Sequence, residues 1–249
     1  MKKIKKALIS VSDKKNLNFL LKVLAKHKIQ IISSGGTYKE IKKLGFESLE
    51  ISKYTGTKEI LGGRVKTLHP KIHAGILSVR KNKSHFKDIK KNNFEEIDLV
   101  IVNFYPFEKT LENTNNHNKI IENIDVGGPT MVRAAAKNYT DVTVITNSDY
   151  YLELSKELNL NKGKTTISFR QKMSEIAFTE TAYYDAIISN YFNSKSKKLF
   201  PKKKIIFGNL IEKLRYGENP HQDGAIYSMG KELNIKKLNG KQLSYNNYN

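Results

Sequence analysis

A doubly wound α/β fold with a mainly parallel sheet is what this sequence predicts, and three observations predict it. Short apolar runs alternate with stretches of helical spacing along most of the chain. The strongest runs, KALISV at residues 6–11 and LVIVNF at 99–104, show little polar alternation, as strands covered on both faces do. Several runs end in polar loops punctuated by glycine or proline, and open α/β sheets hold their ligands at such loops, outside the carboxyl ends of the strands. Right-handed crossovers follow from the parallel arrangement.

Residues 6–11 are the first strand. Ser12 and Asp13 can cap the helix that follows, whose Leu17, Leu20, Leu21 and Leu24 have helical spacing. Residues 29–33 (IQIIS) are the second strand, running into Ser34-Gly35-Gly36-Thr37 and a helix through Ile41 to Leu44. A strand, a glycine turn and a helix aim backbone N–H groups and a helix dipole at an anion, and Ser34 and Thr37 add hydroxyls. A plain tight turn is the alternative, because SSGGT is shorter than the established phosphate fingerprints. Residues 46–51 are a third strand.

Residues 62–75 (GGRVKTLHPKIHAG) then match neither a helix nor a strand pattern. Two glycines admit positive φ, Pro70 fixes the backbone, and Arg64, Lys66, Thr67, His69, Lys71 and His73 supply polar groups. A loop so constrained reads as a binding surface; a basic surface turn is the competing reading. Residues 76–79 leave it as a possible strand, and 83–92 form a polar helix. The buried strand 99–104 ends in Asn103-Phe104-Tyr105-Pro106-Phe107, which places Tyr105 to act, unless it is a partly buried core aromatic. In IDVGGPTMVRAAAKN (124–138), Asp125 precedes a Gly-Gly-Pro start and a small-residue helix runs to Lys137. Asp125 could merely cap that helix and Lys137 merely suit its C-terminus. Residues 142–145 are another buried strand. Helices at 148–158 and 169–192 would pack on the sheet or form a dimer face.

The composition shifts at SKSKKLFPKKK (194–204), a charged, proline-containing linker. Beyond it Asp223-Gly224 and Asn239-Gly240 are hairpin-turn dipeptides, and LRYGENPHQ (214–222) is another polar loop. The organisation is therefore a domain at 1–193, a linker at 194–204, and the β-rich start of a second domain at 205–249.

The formal charge is +20, from 44 basic and 24 acidic residues. The basic residues are nearly all lysine and are spread along the chain, so they argue against a specific nucleic-acid interface. Of five arginines, Arg64, Arg133 and Arg215 fall in glycine-containing motifs and are candidate anion ligands. Cysteine is absent, which excludes disulfides and thiolate chemistry and suits a reducing cytoplasm. Residues 7–11 are too short for a signal-peptide core, and no run approaches membrane-spanning length. His69 and His73 have the spacing of paired metal ligands, but Pro70 lies between them and no third ligand is apparent, so no metal is expected.

With these motifs in hand, SVSDK (10–14), SSGGT (33–37), LGGRVKTLHPKIHAGIL (61–77), NFYPF (103–107) and IDVGGPTMVRAAAKN (124–138) together resemble the AICAR transformylase/IMP cyclohydrolase family of purine biosynthesis. The resemblance to its N-terminal cyclohydrolase domain runs from about residue 7 to 192. It continues as LRYGENPHQ and LNGKQLSYNN, similar to the opening of the transformylase domain. It implies a methylglyoxal-synthase-like fold and the closure of 5-formamidoimidazole-4-carboxamide ribotide to inosine monophosphate with loss of water, a step without metal or organic cofactor. By resemblance Lys66, Tyr105, Asp125 and Lys137 line the reacting centre. Lys66 and Tyr105 would take the formyl oxygen and leaving water, and Asp125 with Lys137 the carboxamide. Ser12, Lys14, Ser34, Gly35, Gly36 and Thr37 would hold the ribotide phosphate under Arg64 and Thr67, with Asn103, Gly127 and Gly128 also binding substrate.

Arg215 and Tyr216 match positions that contact the aminoimidazole ribotide in the transformylase half, which uses 10-formyltetrahydrofolate and a Lys-His pair. That pair has no counterpart after residue 205, so this chain is expected to cyclise and not formylate. The resemblance also implies a homodimer for the full-length protein, a small nucleotide as the only partner, and a cytoplasmic location. Three rival readings stand beside it: a methylglyoxal-synthase-type lyase, a non-catalytic nucleotide-sensing module of the same fold, and weak nucleic-acid association by charge.

Overall fold

In the computed structural model, which describes residues 1–196, 200–229 and 238–247, the chain divides into two compact units, Met1–Asp185 and Ala186–Asn249. The first is built on a five-stranded parallel sheet, the α/β class expected. Its elements run β1 (Lys2–Lys3), β2 (Lys6–Val11), α1 (Leu17–Lys26), β3 (Gln30–Ser33), α2 (Gly35–Lys43), β4 (Leu49–Glu50) and α3 (Ile51–Thr55). Then come α4 (Pro70–Leu77), α5 (Lys83–Lys91), β5 (Leu99–Asn103), α6 (Phe107–Asn113), α7 (His117–Glu122), α8 (Gly127–Lys137), β6 (Thr143–Ile145), α9 (Tyr151–Leu160), β7 (Lys164–Thr165) and α10 (Ile167–Lys195).

The sheet order is β4-β3-β2-β5-β6, all parallel, with Leu8 opposite both Ile32 and Val100 and Ile101 opposite Ile145. Chain order reverses between β2 and β5, so the crevice at their carboxyl ends is the topological switch point, where doubly wound folds bind ligands. The unbroken apolar runs are buried on both faces: Ala7, Leu8, Ile9, Leu99 and Val100 are inaccessible to solvent. Helix α1 contributes Leu17, Leu20, Leu21 and Leu24 to this core. A fully buried aliphatic side chain contributes about 2 kcal/mol. Ala134, Ala135 and Ala136 are buried where α8 packs on β5 and β6, so their small side chains bring the helix close to the sheet.

Five expectations are corrected. Residues 76–79 are not a strand: α4 covers 70–77, with Pro70 at its first position and the His69 ring accepting from the Lys71 N–H. Ile72 and Ile76, one turn apart, face the core. Gly75 hides the pattern because it is there for space; a Cβ on it would sit 2.5 Å from the Glu95 carbonyl oxygen. Ser12 and Asp13 do not cap α1, whose N-cap is Asn16 in the left-handed region with no side-chain cap; Asp13 accepts from Lys15 N–H instead. The third strand shrinks from 46–51 to the two residues of β4, because α3 starts at Ile51. Asp223-Gly224 closes no two-residue turn, since strands β8 (Asn209–Lys213) and β9 (Ala225–Ser228) of the second unit are joined through 214–224. The fifth concerns the linker, whose first residues, Ser194 and Lys195, belong to α10. Asn239-Gly240 follows a stretch outside the described residues, as do parts of the linker.

Helices α6 and α7 and the antiparallel β1·β7 pair were not anticipated. No helix among the described residues is long and apolar enough to cross a membrane.

Candidate active site

The switch point is marked by one side chain. The Asn103 carboxamide accepts from the Ser12 and Asp13 N–H groups at 2.5 and 3.0 Å and donates to the Asp13 carbonyl at 2.9 Å. It therefore ties the loop after β2 to the end of β5. Lys14 turns back and donates to the Val11 and Ser12 carbonyls at 2.7 and 2.9 Å, and burial pushes its ammonium below the ordinary lysine range.

Beside this lies the N-terminus of α2. Gly35 has φ +48, and the space a Cβ would fill at Gly36 is open. The Thr37 hydroxyl is not free for a ligand; it accepts from Val11 N–H and donates to Val11 C=O, both at 3.0 Å, clamping α2 to β2. Ser34 is buried, its hydroxyl 3.3 Å from that of Ser10. The cradle that remains is backbone: the open N–H groups of Gly35 and Gly36 at the positive end of a nine-residue helix.

One loop joins that helix end to another. Ile60 and Val65 bridge each other, and the turn between them needs Gly62 at φ 63 and Gly63 at φ 93. The turn delivers the Lys66 ammonium to Gly35, where it lies 3.1 Å from the position of a Cβ. It delivers Thr67 to Gly127 at the start of α8, where a Cβ would stand 2.4 Å from the Thr67 hydroxyl oxygen. Two adjacent residues thus contact two helix N-termini, α2 and α8. Lys66 is also paired with Glu59 at 2.6 Å, and that ammonium holds the Glu59 carboxyl below the usual carboxylate range. Burial lowers the pKa of the half-buried His73 ring, against an opposing pull from the Thr67 backbone.

At the start of α8 the Asp125 carboxylate accepts the Gly128 N–H at 2.8 Å and lies near the backbone of Tyr105. Gly128 has no room for a Cβ, which would lie 2.4 Å from Asp125 Oδ2. Burial nonetheless pushes the Asp125 carboxyl above its ordinary value, against the pull of both backbone groups. The Asp125 N–H is in turn held by the Tyr184 hydroxyl at 2.8 Å. The Tyr105 side chain is half exposed.

The five motifs therefore meet at the carboxyl edge of the sheet, with two exceptions. Lys137 is exposed at the last position of α8, ten residues beyond Gly127. At 1.5 Å per residue that is about 15 Å along the axis, so within one chain Lys137 does not pair with Asp125. Arg64 does not close over the cradle either; its guanidinium is engaged by both oxygens of Glu122 in an exposed pair. The other motif arginines also point away from an anion role: Arg133 lies over the Phe178 ring, 5.6 Å from its centroid, and Arg215 over Tyr216 at 4.8 Å. In the second unit Arg215 also donates to the Tyr216 hydroxyl at 3.1 Å, and hydrogen bonds from Ser244 and Arg215 lower that phenol's pKa.

Sequence reasoning missed Glu59, Glu122 and Tyr184. The two glutamates sit on exposed segments with no pattern, and Tyr184 is a buried residue of α10 outside every motif. A cleft of about 670 Å³ lies elsewhere. It is lined by Arg80, Lys83, Phe86, Lys87 and Lys91. Arg80 bonds the Ile97 carbonyl and pairs with Asp98 just before β5, which puts that cleft at the amino edge of the sheet.

Comparison with known proteins agrees with the α/β fold. The profile of the MGS-like domain matches residues 16–130, and that of the AICARFT/IMPCHase bienzyme matches 135–249. The crystal structure of ForH superposes with a TM-score of 0.70 at 30% identity, over 78% of this chain and 100% of that one. The chain belongs to the AICARFT/IMPCHase bienzyme family. Its relatives include the bifunctional purine biosynthesis protein PurH of Bradyrhizobium diazoefficiens, 44% identical over 100% of this chain and 48% of the relative. The PurH protein of Ruegeria sp. is 43% identical over 99% of this chain and 47% of its own. The chain thus spans about half the length of the curated relatives it matches. Within the family the junction between the two profiles falls in α8, between the residues that meet at its N-terminus and Lys137.

Proposed function

We propose that this chain carries the cyclohydrolase step of purine biosynthesis: ring closure of 5-formamidoimidazole-4-carboxamide ribotide to inosine monophosphate with loss of water. The observation that carries the reading is the loop of Lys66 and Thr67 spanning two helix N-termini, with the Asp125 carboxylate at the second. A carboxamide nitrogen is a weak nucleophile, so the reaction needs it held against the formyl carbon, relieved of a proton, and met by positive charge as the oxyanion grows.

The open N–H groups at Gly35 and Gly36 would hold the ribotide phosphate, with Ser12, Lys14, Ser34, Thr37 and Asn103 shaping the surrounding loops. Asp125 is the base for the carboxamide; its raised pKa makes its ionised form a better proton acceptor than an exposed carboxylate. Lys66 supplies the cation for the oxyanion, exchanging Glu59 for substrate. Tyr105 delivers a proton to the departing oxygen. The carboxamide nitrogen–formyl carbon bond forms and a carboxamide proton goes to Asp125 while the oxyanion takes one from Tyr105. The carbon–oxygen bond then breaks as the formamido nitrogen gives up its N–H proton to form the ring C=N. The former formyl oxygen thus leaves with two protons as water, and the Asp125 proton restores Tyr105. No cofactor enters these steps. The purine pathway role and cytoplasmic location follow from the family reading, as does a homodimer for the longer family proteins. Formylation with 10-formyltetrahydrofolate is assigned to the part of those relatives that this chain does not span.

The test is ultraviolet detection of inosine monophosphate after adding the formamido ribotide to the purified 249-residue chain. Turnover well above the spontaneous rate is expected, falling at least a hundredfold in Lys66→Ala. A folded chain that binds inosine monophosphate without turning over the ribotide would replace this reading with a nucleotide-sensing module.

A further inference from the structure

We propose that Tyr184 is the positioning residue of this site, a single buried phenol that fixes the Asp125 loop and the Tyr105 loop against each other. The inference rests on the cyclohydrolase reading for its kinetic consequence but on geometry alone for its structural one.

Tyr184 is 6% exposed and lies late in α10, about sixty residues beyond the Asp125 loop and about eighty beyond the Tyr105 loop. Its hydroxyl accepts the Asp125 N–H at 2.8 Å and reaches the Asn123 carbonyl at 3.5 Å, so it grips the turn that leads into α8. Its ring packs on Phe104 at 5.0 Å and edge-on against Phe107 at 6.2 Å. Those two aromatics flank Tyr105 and Pro106. The neighbouring Tyr183 hydroxyl is 2.8 Å from Glu108 at the start of α6, which anchors α10 to the same loop. The circuit closes through Tyr105, whose backbone lies near enough to the Asp125 carboxylate to pull its pKa down. One side chain therefore sets the separation of the proposed base and the proposed acid. Burial pushes the phenol up to about 12, so it keeps its proton across the working range and holds one hydrogen-bonding role.

A phenylalanine would fill the same space and keep both ring contacts. What it removes is the partner of a buried N–H, and a misplacement of about 1 Å at a reacting group costs rate far more than binding. Hence Tyr184→Phe is expected to melt within about 2 °C of the parent and keep KM for the ribotide within about twofold, while kcat falls roughly tenfold. Amide hydrogen exchange at Asp125 and Tyr105 should accelerate at least tenfold, with protection in β2 and β5 unchanged. Tyr54→Phe, which deletes a buried phenol on α3, serves as control and should change none of these.

Unchanged exchange at Asp125 in Tyr184→Phe would overturn the proposal whether or not the chain is catalytic. So would accelerated exchange with kcat intact in an active chain. Loss of turnover in the parent with exchange behaving as expected would leave the positioning role standing and remove the cyclohydrolase reading instead.

Discussion

Asp125 shows how burial and chemistry oppose each other in one residue. Its carboxyl titrates above the ordinary range because burial outweighs the pull of the Gly128 and Tyr105 backbones. The folded state therefore binds the proton more tightly than the unfolded chain. The stability this group confers is complete below the unfolded carboxylate's range and is lost as pH rises through the folded value. Once ionised, the buried group is a cost. Asp125→Asn should raise the melting temperature by roughly a degree or two at pH 7.5 and leave it unchanged near pH 4. In the same variant turnover should fall by two orders of magnitude or more. Parent turnover should decline on the acid side with an apparent pKa above that of an exposed carboxylate. Thermal melts at the two pH values and a pH–rate profile check this. An acid limb that persists in the variant would assign the titration to another group.

At the scale of elements, the arginines divide by role. Those in glycine motifs are exposed or stacked, whereas Arg80 and Arg170 are structural. Arg170 is 2% exposed and donates to the carbonyls of Tyr139, Thr140 and Thr165, stapling the start of α10 to the turn before β6 and to β7. Helix α4 presents a similar conflict between local preference and packing. Alanine is favoured over glycine inside a helix by up to about 1 kcal/mol. At position 75, however, the added Cβ meets a backbone oxygen at 2.5 Å, and backbone cannot yield as a flexible side chain would. Gly75→Ala is therefore expected to destabilise the protein by about 2 kcal/mol in denaturant unfolding. A stabilised variant would show that α4 shifts freely away from Glu95.

For the whole molecule, the division at Asp185 and Ala186 falls inside α10, two residues after Tyr183 and one after Tyr184. A chain of residues 1–196, which keeps all of α10, should fold with a melting temperature within about 5 °C of the parent and retain turnover. A chain ending at residue 180 loses Thr181, Tyr183 and Tyr184 and should fold less stably and be inactive, even though every sequence motif is present. Circular dichroism melts and the ribotide assay decide both. Full activity in the shorter chain would refute a role for the end of α10 in the site.

The sequence by itself determined the parallel α/β order, the buried strands, the glycine-opened turn at 62–63, the helix start after Asp125, and the family. Each of these depends on short-range physics: two-faced burial of an apolar strand, φ limits, and helix periodicity. Which motif side chains face a ligand was decided only in three dimensions. Thr37 and Asn103 look like ligand groups in sequence, yet their polar atoms are spent on Val11, Ser12 and Asp13, 26 to 91 positions away. Lys137 shares a motif with Asp125, but the rise of the intervening helix separates them. Tyr184 carries no motif at all, and crossover topology delivers it to Asp125. Partners so distant in the chain leave no periodic trace, because their meeting is fixed by the packing of α8 on the sheet and of α10 on α8 rather than by local backbone preference.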